Sequence, residues 1–125
     1  MPQFFALIAG IIHVYIFLME SLLWGSPKTN KAFGVSAEMA EANRLFAFNQ
    51  GYYNLFLAIA VFLGVGLSFT EFAIAANTLI VYSSLSMLGA ALVLISSNRK
   101  MIRPALVQGF PPFLAVVFWL LKKII

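Results

Sequence analysis

Residues 46–58 read FAFNQGYYNLFLA and combine an apolar setting with a dense set of hydrogen-bonding side chains. At about 100° per residue, four of these side chains share one arc of a helix, roughly 140° wide. They are Asn49, Gln50, Tyr53 and Asn54. Amides that leave water for lipid need new hydrogen-bond partners. The stretch therefore predicts one wall of a polar pocket inside a membrane protein.

His13 and Glu20 are the ionisable side chains of the first apolar run of the chain. Their spacing is nearly two helical turns, so both lie on one stripe of a helix. Ionisable groups inside a span usually face the protein interior or a wet cavity, since a central acid costs about 2.5–3.5 kcal/mol on insertion. Both are candidate acid, base or ligand-binding groups. The alternative is that they are tolerated polar residues, with Glu20 near enough to the end of the run to reach water.

The composition indicates which kind of fold must hold these groups. Of 125 residues, 62% are hydrophobic and 10% are charged, and the mean hydropathy is +0.97. A soluble domain of this size needs far more charge to cover its surface. We therefore predict a single all-α domain, a bundle of four transmembrane helices. The spans are expected at residues 3–24, 45–67, 72–97 and 104–121.

The connections carry start and stop signals for these helices. Gly25, Ser26 and Pro27 end the first span. Ser36 is a suitable N-cap for a short surface helix that continues into the second span, although the loop at residues 25–44 also fits a plain solvated connection. In the fourth span, Pro111-Pro112 should kink or break the helix, because proline removes a backbone donor.

The distribution of Lys and Arg predicts the orientation in the membrane. Loops 25–44 and 98–103 carry six of the eight basic residues: Lys28, Lys31, Arg44, Arg99, Lys100 and Arg103. Cytoplasmic loops are enriched in Lys and Arg. We therefore expect a multi-pass protein of the plasma membrane, with both loops in the cytoplasm and both termini outside.

Depth estimates bring the polar residues together. At about 1.5 Å per residue, Glu20 lies roughly 6 Å inside the cytoplasmic face, and Asn49, Gln50 and Gln108 roughly 8–9 Å inside it. His13, Tyr53 and Asn54 lie roughly 15–17 Å inside. Both layers open toward a basic rim formed by Arg44, Arg99 and Arg103. The seven side chains are expected to line a shared interior or inter-subunit cavity; the alternative is a structural hydrogen-bond network.

Several classes of chemistry have no support in the sequence. The chain has no cysteine and one histidine, so we predict no disulfide, no metal site and no cofactor. It also lacks a phosphate-binding glycine loop and a nucleophile elbow. The net charge of +4 comes from short clusters beside apolar runs, which suits a membrane surface rather than nucleic acid.

Three longer stretches resemble a known family when they are taken together. HVYIFLMESLLWG, NQGYYNLFLA and NRKMIRPALVQGFPPFLA resemble small bacterial integral membrane proteins classed as domain of unknown function 1304. The resemblance covers essentially the whole chain and implies four transmembrane helices without implying a reaction. A looser similarity is to the four-helix membrane proteins of eicosanoid and glutathione metabolism, whose second helix begins with an Arg, Asn and Glu series. Arg44, Asn49 and Asn54 stand in a similar place, but the final acid is absent.

Three functions fit these observations. The first is a protein that binds or transports a small amphipathic or polar molecule, with Glu20 as a candidate proton carrier. The second is a membrane enzyme acting on an apolar substrate, with Glu20 or His13 as acid or base. The third is a structural or assembly protein. Glycines on the second and third spans favour a homo-oligomer, a dimer or trimer.

Overall fold

A computed structural model describes residues 1–124, and the regular structure in that range is entirely helical. The elements are α1 (Pro2–Phe17) with a π-helical end (Leu18–Leu22), α2 (Pro27–Phe33), α3 (Ala37–Ala42), α4 (Arg44–Leu67), α5 (Ala73–Ser97), a 3₁₀ turn (Arg99–Met101) and α6 (Ile102–Ile124). By length and composition, α1 with its π-helical end, α4, α5 and α6 are each able to cross a membrane. The expected all-α, four-span fold is confirmed.

The four long helices form a bundle whose neighbours follow a closed order. Helix α1 packs against α4 and α6, and α5 packs against the same two helices. Helices α1 and α5 touch only sparingly, since they lie across the diagonal. The two short helices α2 and α3 lie in the connection that joins α1 to α4. Every long helix therefore meets two neighbours and turns its remaining surface outward.

Small side chains fill the interior of the bundle and large ones cover its outside. The buried core includes Ala6 and Ala9 of α1, with Ala115 of α6 beside the larger Met87 of α5. Only 22–28% of the most apolar stretch of each span is buried. Lipid tails are as apolar as leucine, so close contact between small residues, rather than burial of large ones, stabilises such helix pairs. The exposed phenylalanine and leucine side chains are what lipid would cover.

The end of α1 departs from regular α-helical geometry. The Leu23 amide donates to the Leu18 carbonyl at 2.8 Å, a bond that spans five residues instead of four. Such π-helical turns are rare and occur often at functional sites. Glu20 lies in the middle of this turn, and the helix stops just before Gly25, whose φ of +89° is readily adopted only by glycine.

The connection between α1 and α4 is more ordered than a solvated loop. Ser26 accepts a hydrogen bond from the Thr29 amide at 3.3 Å and so caps α2, a helix not expected from the sequence although Ser-Pro is a common helix start. Ser36 caps α3 as expected, through the Met39 amide at 3.1 Å. The expectation that this helix runs on into the second span is wrong, because Asn43 leaves the helical conformation between α3 and α4.

Helix α6 is not broken by its prolines. It continues from Ile102 to Ile124 with both Pro111 and Pro112 inside, so a break is absent, and a kink stays a prediction. Each proline removes one backbone hydrogen bond and so weakens the helix at that point. Pro112, however, is fully buried against the neighbouring helices. Packing against neighbouring helices therefore holds the segment helical where propensity alone would end it.

Gly51 marks the closest approach of α4 to the end of α1. A Cβ atom at this position would collide with the Ser21 hydroxyl and lie 3.0 Å from the Ser21 amide nitrogen. Nothing lies within 4 Å of the same position at Gly66, which belongs to the same helix. Gly51 is therefore required by packing, whereas Gly66 is not.

We expect Gly51→Ala to destabilise the bundle by about 1–3 kcal/mol, because the added methyl group must push α1 and α4 apart. Gly66→Ala is the matched control and should be neutral or stabilise by about 0.4–1 kcal/mol, since alanine restricts the unfolded chain. Unfolding by a denaturing detergent in mixed micelles measures both. Equal effects of the two substitutions would contradict the close contact at Gly51.

Candidate functional site

Glu20 and Asn54 form a hydrogen bond across the interface between α1 and α4. The Asn54 amide nitrogen donates to the Glu20 carboxylate at 2.8 Å and to the Gln50 carbonyl of its own helix at 3.1 Å. Both side chains are partly buried. The amide therefore uses both of its protons, one to hold its own orientation and one to bind the acid.

The close approach of the two helices positions this pair. The Ser21 hydroxyl donates to the Phe48 carbonyl at 2.8 Å, and the Glu20 Cβ lies 3.1 Å from where a Cβ on Gly51 would be. A larger residue at Gly51 would fill the space that brings Glu20 within reach of Asn54. Ser21 was missed in the sequence, where a serine beside an acid carries no distinctive signal.

The Glu20–Asn54 hydrogen bond joins residues that the depth estimates assign to different polar layers. Glu20 was expected level with Asn49 and Gln50, one layer nearer the loops than Asn54. Helical side chains lean toward the N-terminus of their own helix. Because α1 and α4 run in opposite directions, Glu20 leans away from the loops and Asn54 leans toward them, so their tips meet between the layers.

His13 lies apart from this pair, in the core of the bundle. Its side chain is 1% exposed, and its Nδ1 lies 2.8 Å from the Ala9 carbonyl oxygen of the same helix. A carbonyl only accepts, so Nδ1 carries the proton in this contact. The structure describes no hydrogen bond that joins His13 to Tyr53 or Asn54, the residues that were expected in its layer.

The rest of the polar arc on α4 faces away from the bundle. Gly51 points toward α1, so Asn49 and Tyr53, two residues to either side, lie about 160° away around the helix. Tyr53 is 64% exposed, and the exposed Asn49 bonds the Leu45 carbonyl of its own helix at 2.8 Å. Gln50 is exposed as well.

The seven side chains expected around one pocket therefore do not meet inside a single chain. Glu20 and Asn54 are joined, and His13 is buried separately. The others either face outward or, in the case of Gln108, lie half-buried on α6. In the single chain these seven residues do not line one interior pocket, because α4 directs only the edge of its polar arc toward α1. A pocket between subunits stays a prediction.

Arg44 joins the end of α1 to α3, and its place at a pocket mouth stays a prediction. Its guanidinium donates to the Glu41 carboxylate at 2.7 and 2.9 Å and to the Trp24 carbonyl at 3.2 Å. The hydrogen bonds and the positive charge of Arg44 hold the pKa of the Glu41 carboxyl below its usual range. Arg99 and Arg103 are exposed at the α5–α6 connection.

Trp24 ties the same region to α3. Its indole nitrogen donates to the Ala40 carbonyl at 2.7 Å, and its ring lies edge-on to Phe33 of α2, 5.3 Å away. The end of α1, the start of α4 and both short helices are thus fastened together. We call the assembly of α2, α3, Trp24 and Arg44 the cap. The cap lies at the same end of the bundle as Glu20 and limits how far α1 and α4 can separate there.

Two surface grooves lie elsewhere in the described residues. One, of about 400 Å³, follows α4 between Ile59 and Thr70. The other, of about 450 Å³, lies between α5 and α6. Within residues 1–124, no three His, Asp or Glu side chains lie close enough to share a metal ion.

The Glu20–Asn54 bond should be measurable by a double-mutant cycle. We expect Glu20→Ala and Asn54→Ala to couple by about 0.6–1.7 kcal/mol, the range for hydrogen bonds between membrane helices. Glu20→Ala and Asn49→Ala should be additive, because the Asn49 amide bonds its own helix. Unfolding in mixed micelles gives all the values. Additivity of the first pair would mean that the contact contributes nothing to stability.

Comparison with known proteins places the chain in a family. The sequence pattern of a family described as "Protein of unknown function (DUF1304)" matches residues 7–120, nearly the whole chain. Searches of curated proteins and of solved structures found no match. The match includes α4, α5 and most of α1 and α6, with the Glu20–Asn54 pair and the cap around Trp24. The chain belongs to the DUF1304 family.

Proposed function

We propose that this protein binds or transports a small amphipathic or polar molecule, and that Glu20 is the residue that holds it. One observation carries the proposal. Glu20 is the only Asp or Glu in the four membrane-spanning helices of the described chain, and its partner is the neutral amide of Asn54. An acid placed at this depth without a functional reason is costly.

The chemistry of the pair favours a ligand with a positive group or a proton to deliver. The Asn54 amide satisfies one lone pair of the carboxylate but does not balance its charge. Within residues 1–124 the only ion pair joins Arg44 and Glu41, so no Lys or Arg there neutralises Glu20. A proton or a cationic group on the ligand would do so.

Aromatic rings at the same α1–α4 interface suit an amphipathic ligand. Phe17 lies one turn before Glu20 on α1, and its ring meets Tyr52 of α4 edge-on at 5.2 Å. Phe48 packs against Tyr52 at 5.0 Å. A carboxylate next to aromatic faces can bind the charged group and the apolar body of one cation.

The outward face of α4 supports a site completed by a second copy of the chain. Gln50, Asn49 and Tyr53 lie within the span yet point out of the bundle. Polar side chains that face lipid lack hydrogen-bond partners, whereas those at a helix interface find them. A homo-oligomer, a dimer or trimer, would turn this face into the wall of a cavity between subunits, and the Asn54 edge of the polar arc would connect that wall to Glu20.

The side of entry and the membrane follow from the charge of the loops. Six of the eight basic residues lie at the end of the bundle nearest Glu20, in the connections or in the first turns of α4 and α6. That excess supports a cytoplasmic location for this end in a plasma-membrane protein, with both termini outside. A ligand would then reach Glu20 from the cytoplasmic side.

Mass spectrometry of co-purified small molecules tests the binding role. We expect at least one compound to be enriched with the wild-type protein and lost from Glu20→Gln, because the amide cannot balance a cation or release a proton. Glu71→Gln is the matched control and should keep the compound, since Glu71 is exposed in the short α4–α5 link. Identical sets of compounds in the wild type and Glu20→Gln would refute a ligand held by Glu20.

Cross-linking of single cysteines tests the shared face. The chain has no native cysteine, so each introduced thiol is unique. In membranes treated with a short bis-maleimide, Tyr53→Cys should give covalent dimers. Leu92→Cys, exposed on α5, should remain monomeric. A monomeric Tyr53→Cys, or equal dimer yields at both positions, would contradict an interface on α4.

A further inference from the structure

The geometry points to a second binding site, separate from Glu20, that takes an anionic phospholipid. It lies in the groove between α5 and α6 at the opposite end of the bundle. The lipid phosphate would contact Lys123, and one acyl chain would follow α5 toward the middle of the membrane. The groove has a volume of about 450 Å³ and is lined by Ile74, Asn77, Thr78, Val81, Tyr82, Leu85, Trp119 and Lys123.

The length of the groove matches one leaflet of a bilayer. Its floor runs along α5 from Ile74, in the first turn, to Leu85, eleven residues deeper. At about 1.5 Å per residue this distance is roughly 17 Å, close to half of a hydrocarbon core of about 30 Å. Thr78 offers no free donor within the groove, because its hydroxyl bonds the Ile74 carbonyl at 2.8 Å. The floor therefore suits an acyl chain.

The rim of the groove is polar and positively charged. The Trp119 indole nitrogen donates to the Asn77 side-chain oxygen at 3.2 Å, which fixes the ring between α5 and α6. The Lys123 ammonium lies 5.9 Å from the centre of that ring. Lys122 adds a second charge in the same turn. Tryptophan and lysine at such a depth are typical of the lipid headgroup region.

The Lys123 ammonium group can bind an anionic lipid headgroup. It forms no ion pair with any carboxylate of residues 1–124, where Arg44–Glu41 is the sole pair. A phosphate at the rim would supply an anion for Lys123. Basic pockets between membrane helices bind anionic headgroups on the cytoplasmic side of membranes, and the same charge pairing is open to Lys123 at the opposite end. A zwitterionic lipid carries a positive choline group beside its phosphate, so its electrostatic attraction to Lys123 is weaker.

A second copy of the chain fits the groove less well than a lipid. Two copies that meet through this face around an axis normal to the membrane would place both Lys123 side chains at one depth, in mutual repulsion. Each copy would bring two lysines, Lys122 and Lys123, to that depth and only one acid, Glu71 of the adjoining α4–α5 link. The charge therefore selects a lipid phosphate.

Native mass spectrometry can test the site with the full-length chain in detergent. The probes are phosphatidylglycerol and phosphatidylcholine with the same acyl chains. We expect phosphatidylglycerol to bind preferentially. Lys123→Ala should weaken its binding about fivefold, the contribution of one basic residue near an anionic surface, whereas Lys123→Arg should retain it. Lys100→Ala, at the other end of the bundle, is the charge-matched control and should change nothing.

Three outcomes would overturn the assignment. The first is equal affinity for the two lipids, and the second is equal loss in Lys123→Ala and Lys100→Ala. The third is bis-maleimide cross-linking of Thr78→Cys into dimers in native membranes, which would show that a second copy fills the groove. Leu85→Trp gives a test independent of charge: by filling the floor, it should reduce binding of both lipids while Lys123 is kept.

Discussion

The close contact between α4 and the end of α1 is the constraint on which the candidate site depends. Glycine at position 51 lets the two backbones approach until the Ser21 hydroxyl bonds the Phe48 carbonyl. A carbonyl oxygen can accept two hydrogen bonds, so the Phe48 carbonyl can bond Ser21 and keep its bond within α4. The two helices are therefore linked without the loss of a backbone hydrogen bond. With the register fixed in this way, Glu20 and Asn54 are neighbours. The π-helical turn at the same place supplies the extra residue that carries Glu20 there.

The cap formed by α2 and α3 protects this arrangement from the loop side. Arg44 begins α4 and bonds the carbonyl of Trp24, which follows the end of α1, while the Trp24 indole bonds the Ala40 carbonyl of α3. Carbonyls at the end of a helix otherwise need water or a ligand. Here protein groups satisfy two of them. Glu20 therefore lies beneath an ordered cover, and a ligand of the proposed kind would have to pass beside this cover, along α4.

The sequence was informative about elements and less so about the directions of side chains. Hydropathy and length identify four spans, because a membrane allows few alternatives. Ser36 was identified as a cap by its residue type and position. The sequence alone did not predict helix α2 or the continuity of α6 through Pro111, because both depend on contacts with other helices. The depth estimates did not identify Asn54 as the partner of Glu20, because side chains on antiparallel helices lean toward each other by about a turn.

The polar arc on α4 shows why direction matters for function. Its angular width follows from the sequence, but the rotation of the helix is set by Gly51, and this rotation turns Asn49 and Tyr53 outward. A cavity that uses those residues must then lie between copies of the chain. A ligand held there would bind the assembled protein and not the single chain, so mass action requires it to stabilise the assembly. By the same linkage, a substitution on the outward face of α4 would weaken ligand binding without touching Glu20. Ligand binding and assembly would then be linked equilibria, so a change in one could be measured through the other.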